Sequence, residues 1–262
     1  MTLPDQRQDQ RYTLHIRRQG RKLRPGQAEL FDTLLPRLTL HLPPGNDPID
    51  LRGLFAAPVT TVNLEIGFGG GEHLLWQVRH NPHIGFIGAE PFVNGVAKLL
   101  AACGKDVPGN LLLIPGDVRP VLDQLVARAA GAISRLFILF PDPWPKARHH
   151  KRRILGPATL DSFAAILADG AELRFASDIM DYIDWSLMHT GRHPAFVWTA
   201  SRAVDWRRRP ADWPPTRYEK KAIIQGRTSA YLSFRRQNRV NNKGVGGQVP
   251  CKTGVNRLDK AQ

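Results

Sequence analysis

The segment Glu65-Ile66-Gly67-Phe68-Gly69-Gly70-Gly71-Glu72 sets a carboxylate just ahead of closely spaced glycines. Glycines let a backbone approach a ligand closely and turn sharply. The order is E-x-G-x-G-x-G, which is not a dinucleotide fingerprint. Counted from Gly67, the third glycine of G-x-G-x-x-G falls on Glu72; counted from Gly69, it falls on Leu74. A G-x-x-x-x-G-K-[ST] phosphate loop is also absent. An acid beside the glycines suits a cationic ligand better than a pyrophosphate. S-adenosylmethionine, with its ammonium and sulfonium, matches. A purely structural turn between strand and helix is the plain alternative.

Two further acids stand where short apolar runs end. Glu90 follows Gly88-Ala89, where a carboxylate can accept from both ribose hydroxyls. Asp117, in Ile114-Pro115-Gly116-Asp117, can accept from an adenine amino group or cap a helix. A fourth acid lies in Phe140-Pro141-Asp142-Pro143-Trp144. Prolines on both sides fix the backbone of Asp142. Trp144 could stack on a base. Next comes a run without acids that contains Lys146, Arg148, His149, His150, Lys151, Arg152 and Arg153. Beside a site of this kind, phosphate contact is the favoured reading, and a solvated helix start is the alternative. The two histidines lack a nearby Cys or spaced acid, so no metal is expected.

Elements must bring these residues together. Apolar runs predict strands at 62–66, 84–88, 111–114, 136–140 and 172–176, with late candidates at 196–199 and 231–234. Helical patterns lie between them at 72–79, 92–102, 118–128, 158–167 and 179–189. Strands alternating with helices imply βαβ units on a mostly parallel seven-stranded sheet with helices on both faces, an α/β fold. In such a sheet ligands bind at the carboxyl ends of strands, where all four acids would stand. Residues 1–58 read as a basic N-terminal arm and a Pro/Gly-rich connector, 59–240 as the catalytic domain, and 241–262 as a disordered tail.

Composition limits the partners. The 262 residues carry 37 Lys+Arg against 23 Asp+Glu, a formal charge of +14, which points to a polyanion such as nucleic acid. Unbroken apolar runs such as 136–140 are far short of the roughly 18–20 residues that a membrane helix needs. Two cysteines, Cys103 and Cys251, are too few for a disulfide framework. A protein of the cytoplasm, without membrane or metal, is expected.

These segments resemble the tRNA (guanine-N7-)-methyltransferase family, of class I methyltransferase fold, over roughly residues 12–236. The resemblance rests on Leu64 to Gly69, Phe140 to Trp144, the basic run 146–153, and Pro215-Thr216-Arg217-Tyr218-Glu219. Ile16-Arg17-Arg18-Gln19-Gly20-Arg21 is similar to the family's N-terminal arm. The resemblance implies methylation of a guanine in the tRNA variable loop, usually position 46. It implies that Glu65, Gly67, Gly69, Gly71, Glu90, Asp117 and Asp142 line the S-adenosylmethionine site, with Asp142 also catalytic. It assigns Lys146, Asp178, Thr216, Arg217, Tyr218 and Glu219 to the substrate. The family commonly has Thr-Asp where Ser177-Asp178 stands, and Thr-Lys-Phe-Glu then Arg-Gly where Thr216 to Glu219 is followed by Lys220-Lys221-Ala222. A monomer and a homodimer are both compatible with the sequence.

Two other readings stay open at this point. An exocyclic-amino methyltransferase carries [Asp/Asn/Ser]-Pro-Pro-aromatic after its fourth strand, and Asp142-Pro143-Trp144 lacks the second consecutive proline. A non-catalytic RNA-binding protein with the same fold would not need the glycines and acids kept here.

Overall fold

The computed structural model describes residues 20–239. The predicted N-terminal arm before Gly20 and the predicted tail lie outside the described residues.

The chain enters through two helices, α1 (Pro25–Thr33) and α2 (Leu35–Leu38). An alternation then follows: β1 (Thr61–Ile66), α3 (Glu72–His80), β2 (Ile84–Ala89), α4 (Val93–Cys103), β3 (Leu111–Ile114), α5 (Arg119–Arg128) and β4 (Ile133–Leu139). After a 3-10 turn at Ala147–Arg152 come α6 (Pro157–Ile166), β5 (Leu167–Ser177), α7 (Met180–Arg192) and β6 (Phe196–Trp198). Two more helices, α8 (Val204–Arg207) and α9 (Arg217–Ile224), precede β7 (Ala230–Arg236).

The seven strands form one sheet in the order β3-β2-β1-β4-β5-β7-β6. All neighbours are parallel except β7, which runs antiparallel to β5 and β6. The chain winds outward from β1 to β3 and then returns to lay β4 on the other side of β1. That reversal opens a crevice beyond the ends of β1 and β4. The register aligns the mouth: Ile66 pairs with Ala89 and with Ile138, and Ala89 pairs with Ile114. Gly67, Glu90 and Asp117 therefore all start from one end of the sheet.

Both faces of the sheet are covered, so its central strands read as unbroken apolar runs. In β4, Leu136 and Ile138 pack into the core under α5 and α6, while Phe137 and Leu139 face the other way, with Trp213 and Tyr231. A further core joins α3 and α4 to Leu34, Leu35 and Leu38. Within the segment read as a connector, Leu51 and Phe55 are buried in the main core. Leu40 N–H donates to the Leu113 carbonyl at 2.7 Å, laying the chain along β3.

Three differences from the predicted elements matter. Strand β4 stops at Leu139, one residue short, because Phe140 turns to φ 52°. Helix α1 arises inside the polar stretch, where Leu30 and Phe31 supply its few apolar contacts. Helix α9 forms over the segment that carries the resemblance at Thr216 to Glu219.

Candidate active site

The crevice is a cavity of about 630 Å³, within the range that holds a small-molecule ligand. Its walls come from the glycine loop, Glu90 to Phe92, Asp117, the segment after β4, the basic turn, and Tyr218. Gly67 has φ 77°, and a Cβ there would project into open space. The bare backbone at Gly67 is thus a cradle that a side chain would fill. Gly69, at φ 59°, lies under the Tyr218 ring, 3.1 Å from where its Cβ would be.

Glu90 is buried and holds the loop from below. One carboxylate oxygen accepts the Gly69 N–H at 2.6 Å and the other accepts the Phe92 N–H at 2.8 Å. Burial pushes its pKa up to about 7. The two backbone donors oppose the shift, the charge of Asp142 adds to it, and Arg217 subtracts from it. Each oxygen keeps a lone pair for a diol.

Asp117 also lines the cavity, yet its carboxylate is already engaged. It accepts the Arg119 N–H at 3.1 Å and both oxygens accept from the Arg119 guanidinium. Val118, not Asp117, is the cap residue of α5, although Asp117 accepts a backbone N–H of its first turn. Glu65 does not line the cavity. It lies beneath the loop, 3% exposed, and accepts from Nδ1 of His73 at 2.7 Å. His73 packs edge-on against Phe137 and Trp213, and its Nε2 is 3.3 Å from the Gln77 amide. Gln77 in turn donates to the Asp212 carbonyl at 2.6 Å. Gly71 caps α3 and abuts Leu99 of α4, away from the cavity.

Asp142 stands at the mouth of β4, where desolvation raises its pKa. Phe140 at φ 52° and Trp144 at φ 43° flank it, both in the left-handed region that bulky residues rarely adopt. Such strain persists only where the surroundings impose it, and it clusters at functional sites. The Arg152 guanidinium lies 5.0 Å over the Trp144 ring, and His149 meets the same ring edge-on at 5.9 Å.

The basic run divides. Lys146 and Arg148 are exposed, while Lys151, Arg152 and Arg153 line the cavity. His150 packs on Trp185 at 5.2 Å. Arg153 departs from the expected RNA contact, because it is 3% exposed and turned inward. It donates to the Asp181 carboxylate and to the Pro143 carbonyl, and it lies 4.7 Å over Tyr182 and 5.2 Å over Trp185. Its charge ties the Asp142 loop to α7.

The remaining candidates lie at α9 and just after β5. Thr216 caps α9 by accepting the Glu219 N–H at 3.2 Å. Glu219 is buried and accepts from Tyr231 at 2.5 Å. Burial, together with that bond, raises the Tyr231 pKa. Arg217 donates to the Tyr218 hydroxyl at 2.9 Å, and only Tyr218 of this segment lines the cavity. Asp178 accepts from Arg227 at 2.6 Å. The cavity thus unites Gly67, Gly69, Glu90, Asp117, Asp142, Tyr218, Lys151, Arg152 and Arg153; Glu65, Gly71, Asp178, Thr216 and Glu219 do not line it. Sequence reasoning missed His73, Gln77, Trp213 and Arg119, since nothing in their spacing announces a partner.

A family profile described as a putative methyltransferase matches residues 59–232. A tRNA (guanine-N(7)-)-methyltransferase of Rhodospirillum rubrum is 51% identical over 241 residues, 91% of this chain and 93% of its own. Proteins of the same name from Brucella abortus and Rhizobium meliloti are 51% and 50% identical, each over 84% of this chain and 93% of their own length. Among solved structures, the antibiotic-resistance methyltransferase Kmr aligns at 17% identity and a TM-score of 0.48, over 70% of this chain and 89% of its own. Among the described residues no helix is long and apolar enough to cross a membrane. Half of all positions shared across nine-tenths of both chains leave no other assignment: this chain belongs to the tRNA (guanine-N(7)-)-methyltransferase family.

Proposed function

We propose that the protein transfers a methyl group from S-adenosylmethionine to N7 of a tRNA guanine, position 46 of the variable loop, in the cytoplasm. The observation that carries this reading is the cavity that joins the glycine cradle and Glu90 to Asp142 and Tyr218. The residues fit the cofactor: Gly67 leaves room for it, Glu90 offers two acceptors to a diol, and Asp117 faces the cavity, its carboxylate held by Arg119. When bound, S-adenosylmethionine supplies an electrophilic methyl on a sulfonium.

Guanine N7 carries an in-plane lone pair and no proton at neutral pH. No residue therefore has to remove a proton before transfer. The chain's task is alignment and charge. Methylation places positive charge on the purine. Asp142 supplies a carboxylate to the guanine N1–H and amino edge and stabilises that charge as it forms. Tyr218 stands at the glycine loop, with the Arg217 guanidinium 4.8 Å over its ring. Lys146, Arg148 and Lys151 present exposed charge to phosphate, Lys151 from the cavity itself.

The test is incubation with labelled S-adenosylmethionine and unmodified bulk tRNA, followed by alkaline and aniline cleavage. Cleavage at one variable-loop guanine is the expected result. Label without such cleavage overturns the assignment to N7.

A further inference from the structure

Asn94, in the first turn of α4, grips a distant piece of chain. Its amide oxygen accepts the Gly20 N–H at 2.7 Å, and its amide nitrogen donates to the Arg21 carbonyl at 2.7 Å. Both ends of one side chain are thus used on two successive residues. Gly20 is pressed into this contact: a Cβ would lie 2.9 Å from the Asn94 oxygen and 2.9 Å from the Phe92 ring. The other side of the same helical turn belongs to the active site. Phe92 lines the cavity and donates to Glu90, and a Cβ on Gly95 would collide with the Gly69 carbonyl oxygen. The clamp and the glycine loop therefore share one turn of helix.

Beyond the clamp, Arg21, Lys22 and Arg24 are exposed, and none forms an ion pair with another described residue. Behind them, Leu30 and Phe31 seat α1 on the core beneath α4. Across the same cavity stand Lys151 and Arg152. We propose that Asn94 is a positioning residue that fixes the basic segment 20–24 on the lip of the cavity, so that its three cations meet RNA phosphates beside the reacting base. This rests on the tRNA reading above. A cationic segment held at a fixed place contributes charge in register with the base, whereas a free one contributes it anywhere.

The experiment measures the dissociation constant for unmodified tRNA against salt, using the full chain without catalysis. The variants are Asn94→Ala, Gly20→Ala, the triple Arg21→Ala/Lys22→Ala/Arg24→Ala, and the triple combined with Asn94→Ala. Asn94→Ala should weaken tRNA binding roughly five- to tenfold and flatten the salt slope by about 0.7–0.9 for each phosphate that is no longer neutralised. Gly20→Ala, which alters no side chain of α4, should do the same. In the triple background Asn94→Ala should add nothing. Turnover at saturating tRNA and affinity for S-adenosylhomocysteine should stay within twofold of the parent.

Two results would overturn the clamp. One is an unchanged tRNA constant and salt slope in Asn94→Ala while the triple variant weakens. The other is a loss of S-adenosylhomocysteine affinity as large as the loss of tRNA affinity, which would make Asn94 a support of the helix alone. Failure of the tRNA reading looks different: the parent protein would yield no aniline-sensitive guanine, whatever Asn94 does.

Discussion

Glu90 concentrates the pH behaviour of the site in one carboxyl. Its pKa near 7 in the free protein is raised above the unfolded value, so folding favours the protonated form. Its contribution to stability is fully present below about pH 4.5 and is lost as pH rises through about 7. Binding runs the other way. A diol needs ionised acceptors, so S-adenosylhomocysteine should bind about tenfold more weakly at pH 6 than at pH 8 if the group titrates near 7. Calorimetric titration across that window measures it, and Glu90→Gln should make the affinity nearly independent of pH. Asp142 predicts a different phenotype. On the proposed mechanism its charge stabilises the positive charge forming on the purine, so Asp142→Asn should lower kcat on the order of 10²-fold. The tRNA dissociation constant should move little, because the carboxylate acts in the transition state. Near-normal turnover at saturating tRNA would remove Asp142 from the chemistry.

At the scale of elements, the basic turn does two jobs that its composition hides. Arg148 is exposed and Arg153 is buried, five residues apart in one run. Arg153→Met should cost about 1–3 kcal/mol in urea unfolding, since the Pro143 carbonyl loses its donor and two rings lose their cation. It should also lower kcat, because the loop holding Asp142 loosens. Arg148→Ala should leave unfolding unchanged and weaken tRNA binding. Equal unfolding midpoints for the two variants would contradict this division. The same turn illustrates what the sequence makes legible. The central strands stand out because a sheet covered on both faces needs continuous apolar runs. The acids of the site stand out because they follow those runs directly. The partners of the acids do not: His73 under Glu65, Arg119 on Asp117 and Arg227 on Asp178 are set by side-chain packing, which periodicity does not encode. Helix α1 is obscured by its basic surroundings, although Pro25 at its first position is a start signal. Helix α9 carries its own start signal, Thr216-x-x-Glu219, the pattern of a capping box. Thr216 does accept from the Glu219 N–H, so the hydroxyl orders the helix that presents Tyr218.

At the scale of the whole molecule, the +14 charge decides how the substrate arrives. Many cations are consumed internally: Arg174 and Arg135 with Asp212 and Glu172, Arg236 and Arg239 with Asp169, and Arg153 with Asp181. The cations left exposed are the ones that can release counterions from RNA, among them Lys146, Arg148, Lys151, Lys220 and Lys221, with Lys151 at the cavity. Five phosphate contacts would give a slope of log affinity against log salt near −4, so tRNA binding should weaken on the order of 10²-fold between 50 and 200 mM salt. The small cofactor product makes no such set of contacts, so its affinity should change less than twofold over the same range. Filter binding at four salt concentrations, with unmodified tRNA and with S-adenosylhomocysteine in parallel, separates the two. A flat response for tRNA would mean that shape and base contacts carry the affinity and that the exposed cations serve only solubility. A steep response for both ligands would instead place the salt effect on the protein itself, through its internal ion pairs. The expected split, steep for tRNA and flat for the cofactor product, follows from where the structure places its charges.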